Sequence, residues 1–399
     1  MRPPRLFALA ALSSVLACEP SRAPHVATRP VAPPPSDAPW AAAALAQTGA
    51  SWKQLSTVPY KGKQDDVFFV TSERGFYVNG AGYIYETADG GASWTERVHR
   101  PGTYFRAIGF VDERRGFAGN IGPDYFPGVT DAAPLYETSD GGATWSAVDR
   151  IAGPKVTGIC AIDVLRSKFI NAGVLDERVT IRAAGRVGGP ASMATSRDGG
   201  RTWTSENLSA VAAMILDVKF VDERTGFLCA GSDTEVERSH ARILKTKDGG
   251  ATWRTVYESA RPFELTWKCS FPTREVGYAT VQSYDERPEI EARVVAKTSD
   301  GGEHWTEVPL VRDHAVQEYG VGFVDADTGW IGTRDGGWQT TDGGRTFTHV
   351  AMGRAVNKIR PLRTSDGGFV AYAIGSDLFK LDARRPAAAA APLAVAAGR

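Results

Sequence analysis

Short runs in which apolar and polar residues alternate dominate the chain from about residue 49 to residue 382. In the run LDVKFVD at residues 216–222, for example, apolar side chains fall on every second position. This period of two is typical of a strand that buries one face. Clusters of Gly, Asp and Ser separate the runs, as expected for many short strands joined by turns. The pattern therefore predicts an all-β fold.

One turn sequence recurs six times, and SDGGATW at residues 139–145 represents it. Each copy reads Asp-Gly-Gly, then two residues, then an aromatic residue. An Asp at the head of a tight turn can accept hydrogen bonds from nearby backbone N–H groups, and the two Gly residues allow positive φ. The aromatic residue can bury on the order of 200 Å² and anchor the hairpin. The acids are Asp89, Asp140, Asp198, Asp248, Asp300 and Asp342, and the aromatic residues are Trp94, Trp145, Trp203, Trp253, Trp305 and Phe347.

Calcium binding is the alternative interpretation of these acids, because a carboxylate in a Gly-rich loop can hold that cation. Calcium loops combine several oxygen ligands, whereas each of these turns has a single acid. The single acid favours a structural role for all six turns. No metal site is predicted from them.

A second phrase, Phe-Val-Asp followed by Gly and an aromatic residue, precedes most of these turns. Residues 110–117 and 220–227 are two copies. Each phrase reads as two strands around a short turn, and the Asp turn adds two more strands. Four short strands that repeat about every 50 residues predict a radial propeller. The units are residues 64–98, 103–149, 155–206, 214–257, 263–308 and 317–350.

A seventh unit, residues 356–382, contains only three strand-like runs. The missing strand is found near the other end of the chain, where residues 49–55 resemble the tail of an Asp-turn hairpin. If that strand joins the last unit, the ring closes without an exposed edge between its first and last units. We therefore predict a seven-bladed β-propeller of four-stranded antiparallel blades over residues 49–382, closed by the N-terminal strand.

The two ends of the chain differ from this domain. Basic residues, an apolar run over residues 6–17 and then Cys18 have the order of a bacterial secretory signal that ends at a lipid-modified cysteine. We predict a lipoprotein signal peptide over residues 1–18 and lipid attachment at Cys18. The protein is expected outside the cytoplasm, anchored to a bacterial membrane in the periplasm or at the outer membrane, with a soluble secreted form as the alternative. Residues 19–48, rich in Pro and Ala, are predicted to be an unfolded linker, and residues 383–399 a disordered tail.

Charge and motif content exclude several classes of function. The chain has 46 basic and 46 acidic residues, so nothing indicates nucleic-acid binding. Cys160, Cys229 and Cys269 have no short spacing and are predicted to be buried single thiols. The six His residues lack metal-ligand spacing, and there is no phosphate loop, nucleophile elbow or dinucleotide fingerprint. No cofactor is predicted.

Residues 216–227 followed by TKDGGATW at residues 246–253 resemble the Asp-box propellers, also called BNR repeats, of the sialidase-like and sortilin-like superfamily. The chain is most similar to the photosystem II stability and assembly factor family, over residues 49–382. That resemblance implies a seven-bladed, often lipid-anchored or lumenal assembly scaffold rather than an enzyme. The Asp box marks the fold better than the function, because sialidases, other glycoside hydrolases and sortilin-like receptors share it.

A glycoside hydrolase or carbohydrate-binding protein is the alternative. A sialidase would be expected to carry an Arg-Ile-Pro motif, and the chain has none. Other glycosidases need two carboxylates that face each other across a cleft. Asp285, Glu286, Glu289 and Glu291 are the candidates, although a charged run in a long loop is usually solvated. We predict a non-catalytic monomer that binds a protein or glycan of the cell envelope.

The binding face can also be predicted. The Asp turns share one face of the propeller with the short turns of the Phe-Val-Asp phrases, and the opposite face receives the connections that vary in length. Insertions are predicted there at residues 120–134, 176–190, 232–241 and 283–292, and variable loops on a rigid scaffold often bind ligands. Side chains four positions before the aligned residue of each unit, such as Phe69 or Leu362, should surround the mouth of the central channel on that face, together with Asp217, which follows Leu216 at this position. The predicted binding residues are Asp65, Arg106, Asp217, Trp267, Tyr319 and Lys358, a mixture that suits a peptide or polar ligand.

Overall fold

The computed structural model describes residues 29–30, 40–171 and 174–384. In this part of the chain, β1 (Arg29–Pro30), helix α1 (Trp40–Thr48) and β2 (Lys53–Leu55) come first. Strands β3 to β30 follow and form seven consecutive sheets.

The first three blades contain β3 (Gln64–Phe69), β4 (Gly75–Asn79), β5 (Tyr83–Thr87), β6 (Thr95–His99), β7 (Phe105–Phe110), β8 (Gly116–Asn120), β9 (Leu135–Thr138), β10 (Ser146–Ala147), β11 (Ile151–Ala152), β12 (Ala161–Asn171), β13 (Val174–Gly185), β14 (Ser192–Ser196) and β15 (Trp203–Asn207). Short strands β1 and β11 add to the two edges of blade 3, whose four main strands are β12 to β15.

The last four blades contain β16 (Met214–Phe220), β17 (Gly226–Gly231), β18 (Ala241–Thr246), β19 (Arg254–Glu258), β20 (Glu264–Ser270), β21 (Gly277–Ser283), β22 (Ala292–Thr298), β23 (Thr306–Arg312), β24 (Glu318–Phe323), β25 (Gly329–Thr333), β26 (Asp335–Thr340), β27 (Thr348–Arg354), β28 (Lys358–Arg363), β29 (Phe369–Ile374) and β30 (Leu378–Asp382). The blades are antiparallel meanders, and the innermost strands are β3, β7, β12, β16, β20, β24 and β28.

Strand β2 closes the ring. It pairs antiparallel with β30, and Leu55 lies opposite Leu378. Trp52, just before β2, packs edge-on against Trp330 with ring centroids 5.4 Å apart. Innermost strand β28 of the last blade contacts β3 of the first. The predicted seven-bladed propeller, closed by the N-terminal strand, is therefore confirmed.

The packing between neighbouring strands explains the recurring Phe and Gly of the second phrase. A Cβ atom at Gly116 would lie only 2.5 Å from the ring of Phe110, so only Gly lets the second strand pass beneath that ring. Trp145 of the Asp turn packs against the same Phe110 ring in a T-shaped contact, with ring centroids 5.9 Å apart. The three positions that the sequence repeats thus form one contact within a blade.

Residues 40–48 correct the prediction of an unfolded linker over residues 19–48. They form α1, in which Ala41 and Ala44 are buried against an apolar cluster of the last two blades. Asp325 Oδ2 accepts a hydrogen bond from the Ala41 backbone N–H at 2.9 Å and so satisfies the start of the helix. Ala has the highest helix propensity, and Gly49 ends the helix with a φ of 60°. The sequence WAAAALAQTG carried this signal, which the high Pro content upstream obscured.

Blade 3 also differs from the prediction. Residues 176–185 were expected to form a loop on the variable face, but they belong to β13. Strands β12 and β13 pair from Ala161 opposite Ala184 to Asn171 opposite Val174, so the extra residues lengthen the hairpin between the first two strands. That hairpin projects from the Asp-turn face, because Gly199 of the Asp turn donates its backbone N–H to Val179 O. The remaining connection on the variable face is residues 186–191.

The cysteines agree with the sequence analysis where they are described. Cys160, Cys229 and Cys269 are buried and unpaired, as predicted. Cys18, the predicted signal peptide and the tail beyond residue 384 lie outside the described residues. Within the described part of the chain, no helix has both the length and the apolar character needed to span a membrane.

Candidate functional site

In each Asp-box turn, the Asp carboxylate accepts hydrogen bonds from other residues of the same turn. Asp140 Oδ1 accepts hydrogen bonds from the Thr138 hydroxyl at 2.8 Å and from the Thr144 backbone N–H at 3.0 Å. Its Oδ2 accepts a bond from the Thr144 hydroxyl at 2.6 Å, and these bonds lower the pKa of Asp140. The same pattern recurs at Asp89, Asp198, Asp248, Asp300 and Asp342, with His304 Nδ1 in place of the hydroxyl at Asp300. Both carboxylate oxygens accept hydrogen bonds within the turn, as expected if the Asp residue has a structural role and does not bind calcium.

The central channel contains a different set of carboxylates, which join neighbouring blades. Asp66 Oδ2 accepts a hydrogen bond from the Ile108 backbone N–H in the next blade at 3.1 Å. Asp163 and Asp217 accept equivalent bonds from the following blades. Each of the three acids also pairs with a cation, as in the Arg360 Nη2 to Asp66 contact of 2.8 Å. A cavity of about 340 Å³ lies among these side chains; its charged lining is Asp163, Asp217, Lys219, Lys358 and Arg360.

A second group of charges lies at the channel mouth, on the face opposite the Asp-box turns. We call it the mouth cluster; it consists of Lys63, Asp65, Arg106, Trp267 and Lys268. Arg106 forms a buried ion pair with Asp65. Its guanidinium carbon is 5.3 Å from the ring centroid of Trp267, and Lys63 Nζ is 5.5 Å from the same centroid. The cluster therefore combines residues of blades 1, 2 and 5 around one indole ring.

The lysines of the mouth cluster are in an unfavourable environment for a positive charge. Burial and then repulsion from Arg106 lower the pKa of Lys63 to about 7. Burial also lowers the pKa of Lys268 to about 8, although Asp217 acts in the opposite direction. Both lysines are thus partly deprotonated near neutral pH, and a nearby negative charge would restore their protons.

Several polar atoms of the cluster have no hydrogen-bond partner among the described residues. They are Arg106 Nε, Trp267 Nε1 and Asp65 Oδ2. Arg106 and Trp267 each expose only 6% of their surface, so these N–H groups are also shielded from bulk solvent. Buried donors without acceptors are rare in folded proteins and call for an explanation.

Aromatic residues border the mouth cluster, and two of the predicted insertions supply part of this border. Phe126, in the 120–134 insertion, packs against Tyr104 at a centroid distance of 4.8 Å and against Tyr125 at 4.7 Å. Tyr125 is 42% exposed. Tyr284, in the 283–292 insertion, and Tyr319 pack on the same apolar cluster as Trp267. Aromatic rings thus surround the cations of the mouth cluster, of which Arg106 and Lys268 are buried and Lys63 is partly exposed.

The predicted binding residues fall into two groups in the structure. Asp65, Arg106 and Trp267 come together in the mouth cluster, and the Tyr319 ring lies 6.3 Å from that of Trp267. Asp217 and Lys358 line the channel cavity instead, with Lys358 Nζ 3.3 Å from Asp217 Oδ1.

Sequence reasoning missed Lys63 and Lys268, and irregular strand pairing explains why. The pairing of the innermost strand with its neighbour shifts register at Asp65, Arg106 and Tyr319, and across Trp267 and Lys268. Such bulges turn side chains away from strict alternation. The sequence analysis considered one aligned position in each innermost strand, so it identified Trp267 but not Lys268, the next residue. Lys63 lies just before β3, and only its spacing of two residues from Asp65 could have indicated it.

Glu318, at the start of β24, is a further unsatisfied group near this face. It is completely buried, and neither carboxylate oxygen has a hydrogen-bond partner among the described residues. Burial raises the pKa of Glu318 to about 8, although the nearby Arg293 acts in the opposite direction. Arg293 itself donates to backbone carbonyl oxygens, including Val316 O at 2.7 Å. The carboxyl group is therefore mainly protonated at neutral pH.

The loop acids considered for glycoside hydrolysis pair with arginines or are exposed to solvent. Asp285 Oδ2 is 2.6 Å from Arg287 Nη2, and hydrogen bonds from Arg287 lower the pKa of Asp285. Glu291 pairs with Arg312, while Glu286 and Glu289 are exposed. A general acid of a glycosidase needs a raised pKa, opposite to the shift at Asp285. Within the described ranges, no group of three or more His, Cys, Asp or Glu could hold a metal ion.

Comparison with solved structures agrees with this architecture, whereas no protein-family model matches the chain. YCF48 bound to D1 peptide is 16% identical, with a TM-score of 0.56, covering 83% of this chain and 94% of that one. YCF48 from Cyanidioschyzon merolae is also 16% identical, with a TM-score of 0.58, covering 83% of this chain and 98% of that one. At these identities the similarity shows a shared propeller fold, the fold of the photosystem II assembly factor that the sequence resembles.

The fold is also shared with an enzyme. The GH74 enzyme of Niastella koreensis is 14% identical, with a TM-score of 0.53, and the match covers 79% of this chain but 51% of that enzyme. The propeller is therefore common to proteins of different function, and the side chains of this chain must carry the functional argument.

Proposed function

We propose that this protein is a non-catalytic scaffold of the cell envelope that binds a protein partner through the channel mouth and the insertions around it. The observation that carries the proposal is the mouth itself, where unpartnered donors and partly exposed aromatic rings meet. Aromatic residues and Arg dominate the energetics of protein interfaces. A similar propeller, YCF48, has been solved with D1 peptide bound, which supports a peptide-like ligand for this fold.

The contacts of the Asp-box, loop and channel acids support a binding role over hydrolysis. The Asp-box carboxylates are engaged in their own turns, and Asp285 pairs with Arg287. Channel acids Asp66, Asp163 and Asp217 each pair with a cation and a neighbouring backbone N–H. Turnover of fluorogenic β-glycosides that is lost when Asp285 or Glu289 is replaced would contradict the non-catalytic role.

The partner site is tested with two matched surface variants. Tyr125→Ser removes an exposed ring at the mouth, and Leu175→Ser removes an exposed apolar side chain on the projecting hairpin of the opposite face. Affinity capture from envelope extracts, with cross-link mapping, should give a partner that is lost with Tyr125→Ser and retained with Leu175→Ser. Equal recovery with both variants, or cross-links confined to the Asp-box face, would contradict the proposed site.

The proposal places the scaffold outside the cytoplasm, attached through a lipid on Cys18. The apolar run before this cysteine supports it. Metabolic labelling with a radioactive fatty acid should label the wild-type protein and fail to label Cys18→Ala. Labelling that persists in Cys18→Ala, or a wild-type protein recovered unlabelled, would contradict the anchor.

A further inference from the structure

The mouth and the adjoining channel hold more cations than carboxylates. Lys63, Arg106, Lys268 and Lys358 lie there with Asp65 and Asp217. Asp65 is already paired with Arg106, and Asp217 lies closest to Lys358. The remaining contacts with carboxylates are long, at 4.0 Å from Lys63 to Asp65 and 3.9 Å from Lys268 to Asp217. Lys268 Nζ also donates a hydrogen bond to Leu216 O, a neutral acceptor, at 2.8 Å. Two ammonium groups are therefore without a carboxylate of their own.

The unpartnered hydrogen-bond donors lie in the same place. Arg106 Nε and Trp267 Nε1 have no acceptor among the described residues, and both side chains are more than nine-tenths buried. Together with Lys63 and Lys268 they offer two ammonium groups and two single N–H donors. An ionised carboxylate has two oxygens with about four lone-pair directions, so the number of these donors suits it.

We propose that the mouth cluster binds one carboxylate group between Lys63, Arg106 and Lys268. This inference rests on the proposed function, because the carboxylate would belong to an acidic side chain or the C-terminus of the bound partner. A free dicarboxylate offers the same group and is the other source to be tested. The aromatic residues around the cluster favour a peptide, which can place apolar side chains against Tyr104, Phe126 and Tyr319.

Binding of a carboxylate should be coupled to proton uptake. The charged or titratable groups that act on Lys63 are Asp65, Arg106, Lys268 and Cys160. Two of these are cations that disfavour its protonated form, and a bound carboxylate would oppose their effect. Lys63 Nζ lies 4.0 Å from Asp65 Oδ1, so the added proton would also strengthen the attraction between Lys63 and the Asp65 carboxylate.

The test is calorimetric titration of the folded protein at pH 8 with succinate, its diamide succinamide, and a short acidic peptide with a free or amidated C-terminus. Succinate should bind and succinamide should not. Titration in MOPS and in Tris, which have different ionisation enthalpies, should show net proton uptake. Equal heats in the two buffers, or no binding of any carboxylate, would overturn the inference.

Two variants locate the site. Lys63→Met removes one ammonium group from a side chain that is 26% exposed, and Lys61→Met is the matched control on the same segment, where the residue is exposed. Lys63→Met should weaken carboxylate binding at least tenfold and abolish most of the proton uptake, while Lys61→Met should change neither. Equal affinity of the wild type and Lys63→Met would overturn the assignment. Lys268→Met, checked for folding by circular dichroism, should give the same loss independently.

Failure of this inference is distinguishable from failure of the proposed function. If Tyr125→Ser loses the partner but no carboxylate binds, the partner site stands and the carboxylate assignment is wrong. If succinate binds through Lys63 but the partner is recovered equally with Tyr125→Ser, the carboxylate site stands and the proposed partner surface is wrong. Tighter binding of the free-acid peptide than of succinate identifies the peptide as the source, and the reverse order identifies a small dicarboxylate.

Discussion

The Asp-box turns and the mouth cluster both contain carboxylates, but the hydrogen-bond donors to these carboxylates come from different parts of the chain. Asp140 finds its hydrogen-bond donors two and four residues away, within one turn. Asp65 is paired with Arg106, which is 41 residues away in the next blade, and its second oxygen has no donor among the described residues. The turn is complete in itself, whereas the mouth lacks partners that a ligand could supply. This difference is the main reason to place function at the mouth.

The largest effect should come from breaking the ion pair of the mouth. Arg106→Met leaves the buried Asp65 carboxylate without its cation, and breaking such a pair typically costs about 3–5 kcal/mol. We expect a loss of unfolding free energy of that size in urea titration. The double variant Arg106→Met/Asp65→Asn should recover part of it, because it also removes the isolated charge.

A matched surface pair provides the control for that experiment. Arg166 and Glu177 form an ion pair on the projecting hairpin, where both side chains are exposed. Arg166→Met should change the unfolding free energy by less than about 1 kcal/mol. Similar losses for Arg106→Met and Arg166→Met would contradict the idea that the mouth pair is special.

A smaller effect, of opposite sign, is expected at Glu318. Its pKa is about 8 in the folded protein against an ordinary value of 4.5, so the folded state keeps a proton that the unfolded chain loses between these pH values. Stability should therefore fall as pH rises through this interval. Glu318→Gln should remove that dependence and stabilise the protein at pH 9 by a few kcal/mol, because the amide cannot ionise and so avoids the cost of an unpaired buried charge.

Melting temperatures measured from pH 5 to pH 9 check this prediction. The gain from Glu318→Gln should be small at pH 5 and largest at pH 9. The control is Glu289→Gln, which changes an exposed acid in the connection between β21 and β22 of blade 5. This variant should leave the pH dependence of the melting temperature unchanged. A wild-type melting temperature that does not fall above pH 7 would show that Glu318 is ionised without penalty.

The smallest effect should be a local one in an Asp-box turn. The Thr138 hydroxyl donates to Asp140 Oδ1 and accepts a hydrogen bond from the buried Gly142 N–H at 2.8 Å. Thr138→Val keeps the shape but removes both bonds, and we expect a loss of about 1–2 kcal/mol in urea titration. Carboxylate binding at the mouth should be unchanged. Weaker binding of succinate by Thr138→Val would contradict the separation of the two faces.

Much of the fold could be predicted because its signals are local. The Asp-box turn needs a short run of neighbouring residues, and the Phe and Gly of the second phrase are only six positions apart, as in Phe110 and Gly116. Helix α1 was missed although its Ala-rich sequence favours a helix, since its stability also depends on Asp325, which is 284 residues from Ala41. The long hairpin of blade 3 was assigned to the wrong connection because its turn signal, Asn171 and Gly173 in the sequence, lies much further from the start of β12 than in the other blades.

By itself, the sequence determined the number of blades, the strand that closes the ring and the positions near the channel mouth, because these follow from a repeat and from local turns. Only the tertiary structure decided which of those positions form a site. Lys63, Arg106 and Lys268 come from three blades, and bulges in the innermost strands change the direction of their neighbours. Their charges interact only once the ring has closed, so the excess of cations at the mouth is a property of the folded chain.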